Sequence, residues 1–165
     1  MKVLHNSNNK KLIFPSVVLL ITIIVYFLLG VTTGKHQPIQ QDNQAVSWRG
    51  EQSLNPPTSD GIPSVIVPSI SDLTFTANST TQLVNLYNPD KNIRYFKMQL
   101  FIEDELLWES GYVAPGDGYY SIDLAHSLQS GNYTGYLKIN FFTDVGAKLP
   151  SSAKIKINVN VIEKE

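Results

Sequence analysis

The sequence predicts an all-β fold: an immunoglobulin-like antiparallel β-sandwich of about seven to eight strands, preceded by a single N-terminal transmembrane helix. Three observations carry this reading. From Ser64 onward, apolar and polar residues alternate with a period of two. Clusters of proline, glycine and Asx residues recur between the alternating stretches. Between Leu12 and Gly34 there is no Asp, Glu, Lys or Arg at all.

The uncharged stretch is read first. Residues 12–31 form a nearly pure apolar run, and about 20 such residues suffice to cross a bilayer as a helix. Pro15 falls in the first turn, where its missing N–H costs little. A cleaved signal peptide has a shorter apolar core and small residues at its cleavage site, and Gly30-Val31-Thr32-Thr33-Gly34 does not spell one. Lys2, Lys10 and Lys11 precede the run, whereas only Lys35 follows it closely. The excess of bases on the N-terminal side puts residues 1–11 in the cytoplasm and the rest of the chain outside. The expected location is therefore a cell membrane, with a single uncleaved span and an extracytoplasmic C-terminal domain.

Residues 32–63 read as a flexible extracytoplasmic linker. Gln37-Pro38-Ile39-Gln40-Gln41-Asp42-Asn43-Gln44 is polar and aperiodic, and Asn55-Pro56-Pro57 opens a turn-rich stretch. Such segments bury too little apolar area to offset their ordering entropy. Trp48, beside Arg49, stands out. It reads either as an incidental or membrane-interface aromatic or as part of a short docking motif.

The domain spans residues 64–165. Its clearest strand runs through Ile155, Ile157, Val159 and Val161, which alternate with Lys154, Lys156, Asn158 and Asn160. Phe96, Met98, Leu100 and Ile102 alternate with Lys97, Gln99, Phe101 and Glu103. Tyr133, Gly135, Leu137, Ile139 and Phe141 alternate with Thr134, Tyr136, Lys138 and Asn140. Shorter strands are expected at Ser64–Val67, Leu73–Ala77, Gln82–Leu86, Leu106–Ser110 and Tyr119–Leu124. Asp104-Glu105 is expected to close a tight hairpin, and Trp108 in the returning strand to enter the core.

Composition excludes several chemistries. The chain has 165 residues and no cysteine, so disulfides, thiolate metal sites and cysteine nucleophiles are absent. Residues 1–59 carry five basic and two acidic side chains, and the remainder eight basic and twelve acidic. A mildly acidic domain gives no electrostatic case for nucleic acid. Beyond the linker the chain has a single histidine, His126, and no Gly-x-Ser-x-Gly turn to expose a serine beside it. The carboxylates Glu103, Asp104, Glu105 and Glu109 read as a solvated hairpin tip, which discourages edge-to-edge sheet association. Neither a calcium loop nor a nucleotide-binding glycine pattern occurs. No cofactor, metal or enzymatic activity is expected.

Aromatic residues are the more suggestive feature, with eight Tyr and seven Phe. Tyr112, Tyr119, Tyr120 and Tyr136, with Tyr133 nearby, fall near strand ends or turns. Such amphipathic, stiff rings suit a contact face for protein or carbohydrate, although tyrosine is also a good strand residue. The first four are the candidate partner contacts.

The chain also resembles a group of short membrane-anchored proteins of Gram-positive bacteria, largely uncharacterised in function. Each has an N-terminal transmembrane helix, a spacer and a C-terminal β-sandwich. The residues that carry the likeness are Asn92-Ile93-Arg94-Tyr95-Phe96-Lys97-Met98, Glu109-Ser110-Gly111-Tyr112-Val113-Ala114-Pro115-Gly116 and Leu128-Gln129-Ser130-Gly131-Asn132-Tyr133. The Ile155–Val161 alternation completes the set. They cover the last two-thirds of the chain and speak to fold rather than catalysis. The resemblance implies a bacterial surface location and carries over no functional residue.

The expected function is a non-enzymatic extracytoplasmic module that binds a protein or cell-wall partner, with the lipid bilayer engaged through residues 12–31. A structural accessory subunit of a membrane or secretion assembly, acting through its helix, is the alternative. A surface hydrolase is the third reading.

Overall fold

The computed structural model describes residues 39–52 and 65–164. The chain divides into two units, Met1–Gln37 and Pro38–Glu165, and all described residues belong to the second. The spanning helix expected at residues 12–31 and the cytoplasmic segment 1–11 lie outside the described residues. Among the described residues no helix is long and apolar enough to cross a membrane.

The described part is all-β. Its strands are β1 (Val46–Ser47), β2 (Asp72–Thr76), β3 (Thr81–Tyr87), β4 (Tyr95–Ile102), β5 (Glu105–Glu109), β6 (Asp117–Asp123), β7 (Gly131–Phe142) and β8 (Lys148–Ile162). They form two sheets, one ordered β1-β6-β3 and the other β2-β8-β7-β4-β5. Pairing is antiparallel as expected, except that β2 runs parallel to β8.

The period-two pattern does what it should. In β4, Phe96, Met98, Leu100 and Ile102 are buried while Tyr95, Lys97, Gln99 and Phe101 face the other way. One core takes Val84, Leu86, Tyr119 and Ile122 from the smaller sheet. The larger sheet contributes Phe75, Phe96, Met98, Leu100, Leu137, Ile139, Ile157 and Val159. Each such side chain removed from water contributes about 1.5–3 kcal/mol, so this cluster is what holds the sheets face to face.

Three local expectations shift. The first is at Ser64–Val67, where the described residues 65–67 form no strand. The Asn92 side chain takes a strand's place there: Ile66 N–H donates to its Oδ1 at 2.9 Å, and its Nδ2 donates back to Ile66 O at 2.7 Å. The second is β8, which begins at Lys148 rather than near Ile155. Its extra residues pair with β7 through Lys148↔Phe142.

The third is the hairpin. Its two loop residues are Glu103 and Asp104, with φ of 49° and 67°, while Glu105 already pairs with Ile102. Positive φ at both positions is the type I′ turn that suits the twist of a two-residue hairpin and normally takes Asn-Gly. A glutamate in that conformation is strained. Glu103→Asn is therefore expected to stabilise the domain by about 0.5–1 kcal/mol. A thermal melt with an unchanged or lower midpoint would remove the strain assignment.

Trp108 is core as expected, 8% exposed and edge-on to Tyr119 with ring centroids 5.0 Å apart. The β4–β5 register shifts between Leu100 and Phe101, so consecutive Leu107 and Trp108 are both buried. A bulge of this kind re-aims a side chain that strict alternation would put in solvent.

Candidate functional site

The largest departure from the sequence reading lies in residues 39–52. These were expected in the flexible linker, but they lie along the domain as a strap. Asp42 N–H donates to Tyr112 O at 2.8 Å, Trp48 N–H donates to Gly116 O at 2.8 Å, and β1 pairs with Gly118 and Asp117 of β6. The stretch is polar and aperiodic, so no face of it announced burial. Two side chains hold it.

The first is Asp42. Its Oδ2 accepts from Gly111 N–H at 2.6 Å and from the Tyr119 hydroxyl at 2.7 Å, and its Oδ1 accepts from Gln44 N–H at 2.8 Å. Burial works against the charge. The Gln44, Tyr119 and Gly111 hydrogen bonds and the Lys97 charge outweigh it, and the carboxyl titrates below its ordinary 3.8. Tyr119 responds in the opposite direction: burial, and then Asp42, push its phenol far above the usual range, so it stays a donor. A carboxyl whose pKa is depressed on folding adds stability above its unfolded pKa and loses it as pH falls through the folded value. The strap is therefore expected to loosen below about pH 4. Asp42→Asn should abolish that acid step and cost about 1–3 kcal/mol at neutral pH. Trp48 emission, followed in a Trp108→Phe background, checks both. An acid step retained in Asp42→Asn would assign it to another group.

The second is Trp48. Its indole lies between Tyr87 (centroids 4.7 Å, 13° between planes) and Tyr120 (4.6 Å, 16°). Arg49 N–H donates to the Tyr120 hydroxyl at 2.9 Å. Of the two readings of this residue, the docking motif is the one the geometry bears out, with the domain itself as the dock.

These contacts sort the four candidate tyrosines. Tyr119 is corrected: at 2% exposure, with its hydroxyl on Asp42, it is a core and strap-pinning residue and offers nothing to a partner. Tyr120 is 42% exposed but gives one ring face to Trp48. Tyr112 receives the strap on its backbone carbonyl, but its ring, against Phe142 and Lys97, and that of Tyr136, against Phe101, lie on the outer face of the five-stranded sheet.

Register places that face residue by residue. One row runs Glu109–Gln99–Lys138–Lys154 across β5, β4, β7 and β8. The next runs Leu106–Phe101–Tyr136–Lys156. Lys97 and Asn140 form a row on the other side of the first. Phe101 and Tyr136 stack at 4.7 Å, and Lys154 Nζ sits 3.6 Å above the Tyr136 ring. Tyr112 packs edge-on to Phe142 at 5.0 Å, under Lys97 Nζ at 4.7 Å. Asn140 Nδ2 donates to Gln99 Oε1 at 3.4 Å, and Gln99 Nε2 donates to Glu109. Lysine over an aromatic ring is an attractive contact worth about 0.5–1 kcal/mol at exposed sites.

His126 stays at the surface. Its Nε2 lies 3.1 Å from Glu105 Oε1, and both side chains are about half exposed. The Ser127 carbonyl, and then Glu105, raise its pKa. Among the described residues no group of three or more His, Asp or Glu could hold a metal ion.

Sequence reasoning missed the four lysines. Each was visible as the wet partner of an apolar residue in its own strand. What no single strand reveals is that β4, β7 and β8 are consecutive neighbours and present them together. Comparison of the chain with protein-family models, with curated proteins and with solved structures finds no match.

Proposed function

We propose that this protein is a non-enzymatic binding module, an immunoglobulin-like sandwich held outside a cell membrane by one N-terminal span. It takes a protein or cell-wall partner at the cell surface. The observation that supports the binding role is the outer face of the five-stranded sheet, where Tyr112, Tyr136, Phe101 and four lysines share one surface. The apolar run at residues 12–31 and its flanking bases support the anchor and its orientation. The likeness to membrane-anchored Gram-positive proteins supports the location. Residues 39–52, expected in the linker of residues 32–63, lie along the domain instead.

A photo-crosslinking amino acid at Tyr136, in the full chain on intact cells, tests the reading. Partner capture there, and not from the same group placed at exposed Asp90, is the expected result. Equal capture from both positions would refute a dedicated face. Protease added outside wall-stripped cells should remove the domain, and protection there with loss after lysis would refute the orientation.

A further inference from the structure

The lysines on the outer sheet face are the feature that packing alone does not explain. Lys138 and Lys154 are directly opposed across β7 and β8. Like charges in that position destabilise a sheet. Among the described residues the single salt bridge is His126–Glu105, so none of the four lysines is within ion-pair distance of a described carboxylate. Acids were available to the fold: residues 60–165 carry twelve acidic and eight basic side chains, and four of those eight lie on this face. The acids at its margins have other partners. Glu109 is held by Gln99, Asp72 by Asn158 and Asp42 by Gly111 and Tyr119, although Lys97 feels the Asp42 charge.

Lysines also protect exposed sheet edges from aggregation. That accounts for Lys154 and Lys156, whose stretch of β8 precedes the β2 pairing. It does not account for Lys97 and Lys138, on strands paired along both sides.

We propose that this face binds a linear polymer of phosphodiester-linked polyol or sugar repeats, laid diagonally from Lys97 through Lys138 and Lys154 to Lys156. The inference rests on the binding role proposed above and names its ligand. Two strand spacings across and four residues along give the lysine track a length of roughly 16 Å, enough for a chain to set down more than one phosphate. Lysine meets phosphate as a point charge without needing a fixed fork geometry, which suits a flexible polymer. The rings under Lys97 and Lys154 hold those ammonium groups on the face before the ligand arrives. The same arrangement argues against nucleic acid. Tyr136 has Phe101 on one side and Lys154 over its ring, so it offers no open platform for a base to stack.

The experiment uses the full chain in zwitterionic nanodiscs and fluorescent poly(glycerol phosphate), read by anisotropy. Binding is expected to weaken with salt, with a log–log slope of about −2 to −3 for three to four phosphates engaged. Lys138→Glu with Lys154→Glu is expected to lower affinity at least tenfold. Lys91→Glu, in the Asp90–Lys91 turn off this face, should leave it unchanged. Unchanged melting of the double variant shows that the loss is not misfolding, and Lys138→Gln with Lys154→Gln provides a milder second pair. No binding by the parent protein, or equal binding by the double variant, overturns the proposal. So does single-stranded DNA binding as tightly as the polymer, or anionic vesicles binding in its place. If the polymer fails while the Tyr136 crosslinker still captures a protein, the ligand assignment falls and the binding role stands.

Discussion

Trp48→Ala is expected to free residues 43–50 from the domain and lower its stability by about 2–4 kcal/mol. The indole is stacked on both faces, by Tyr87 and Tyr120, and each such pair contributes about 0.5–1.5 kcal/mol beyond area burial. Removing it also leaves β1 with only two paired residues to hold the strap. Asp42 remains, but a single pinned residue cannot keep the chain between 43 and 50 in place. Hydrogen exchange should therefore accelerate at the Trp48 amide, which donates to Gly116 O, more than in β4 or β7. Trp48→Phe separates stacking from hydrogen bonding. The Trp48 Nε1–H is buried without a partner among the described residues, so phenylalanine keeps one ring in the sandwich and removes that unsatisfied donor. Its cost should stay below about 1 kcal/mol. Equal urea midpoints for the parent protein and Trp48→Ala, with unchanged exchange at residue 48, would show that the strap contributes nothing.

The strap marks where sequence reasoning stops. Strand interiors were legible because burial on one face of a sheet writes itself as alternation, as in Phe96–Ile102. Turns were legible because only certain residues reverse the chain, as at Ala114-Pro115-Gly116. The strap carries neither mark. Its attachment depends on two isolated side chains, Asp42 and Trp48, meeting residues from Gly111 to Tyr120 and Tyr87, far away in sequence. Long-range pairing likewise decided the start of β8: Pro150-Ser151-Ser152 has no apolar rhythm, and β7 recruits it through Asn140↔Ser152. The tyrosines failed for a related reason. A strand tyrosine looks the same in sequence whether its hydroxyl reaches solvent or a buried carboxylate, so Tyr119 and Tyr136 could not be told apart. The lysine face depended on sheet order, which alternation within one strand does not encode.

Gly135 shows how the same alternation can be correct and still hide a constraint. It occupies a position on the inward-facing side of β7, in line with Leu137, Ile139 and Phe141, where the pattern alone would welcome valine or isoleucine. A Cβ built there would lie 2.1 Å from the Phe101 carbonyl oxygen and 3.2 Å from Ile102 Cα. Both obstacles are β4 backbone, which cannot swing aside like the end of a side chain. Gly135 pairs with Ile102, the last β4 residue before the type I′ loop, so β7 and β4 approach closely where the hairpin is tightest. Gly135→Ala must therefore push β4 and β7 apart or bend β7. The expected loss is about 3 kcal/mol, at the upper end of the usual cost of overpacking. Ala also restricts the unfolded chain, which by itself would stabilise by about 0.4–1 kcal/mol, so any net loss understates the clash. Thr134→Ala, one residue away and exposed, should cost little. Urea denaturation of the parent and both variants decides the matter. A Gly135→Ala midpoint equal to that of Thr134→Ala would mean that β4 and β7 can separate at that row without penalty. The paired rows beyond it, which carry Lys138 and Lys97 on the outer face, would then be less rigidly spaced than the proposed polymer track requires.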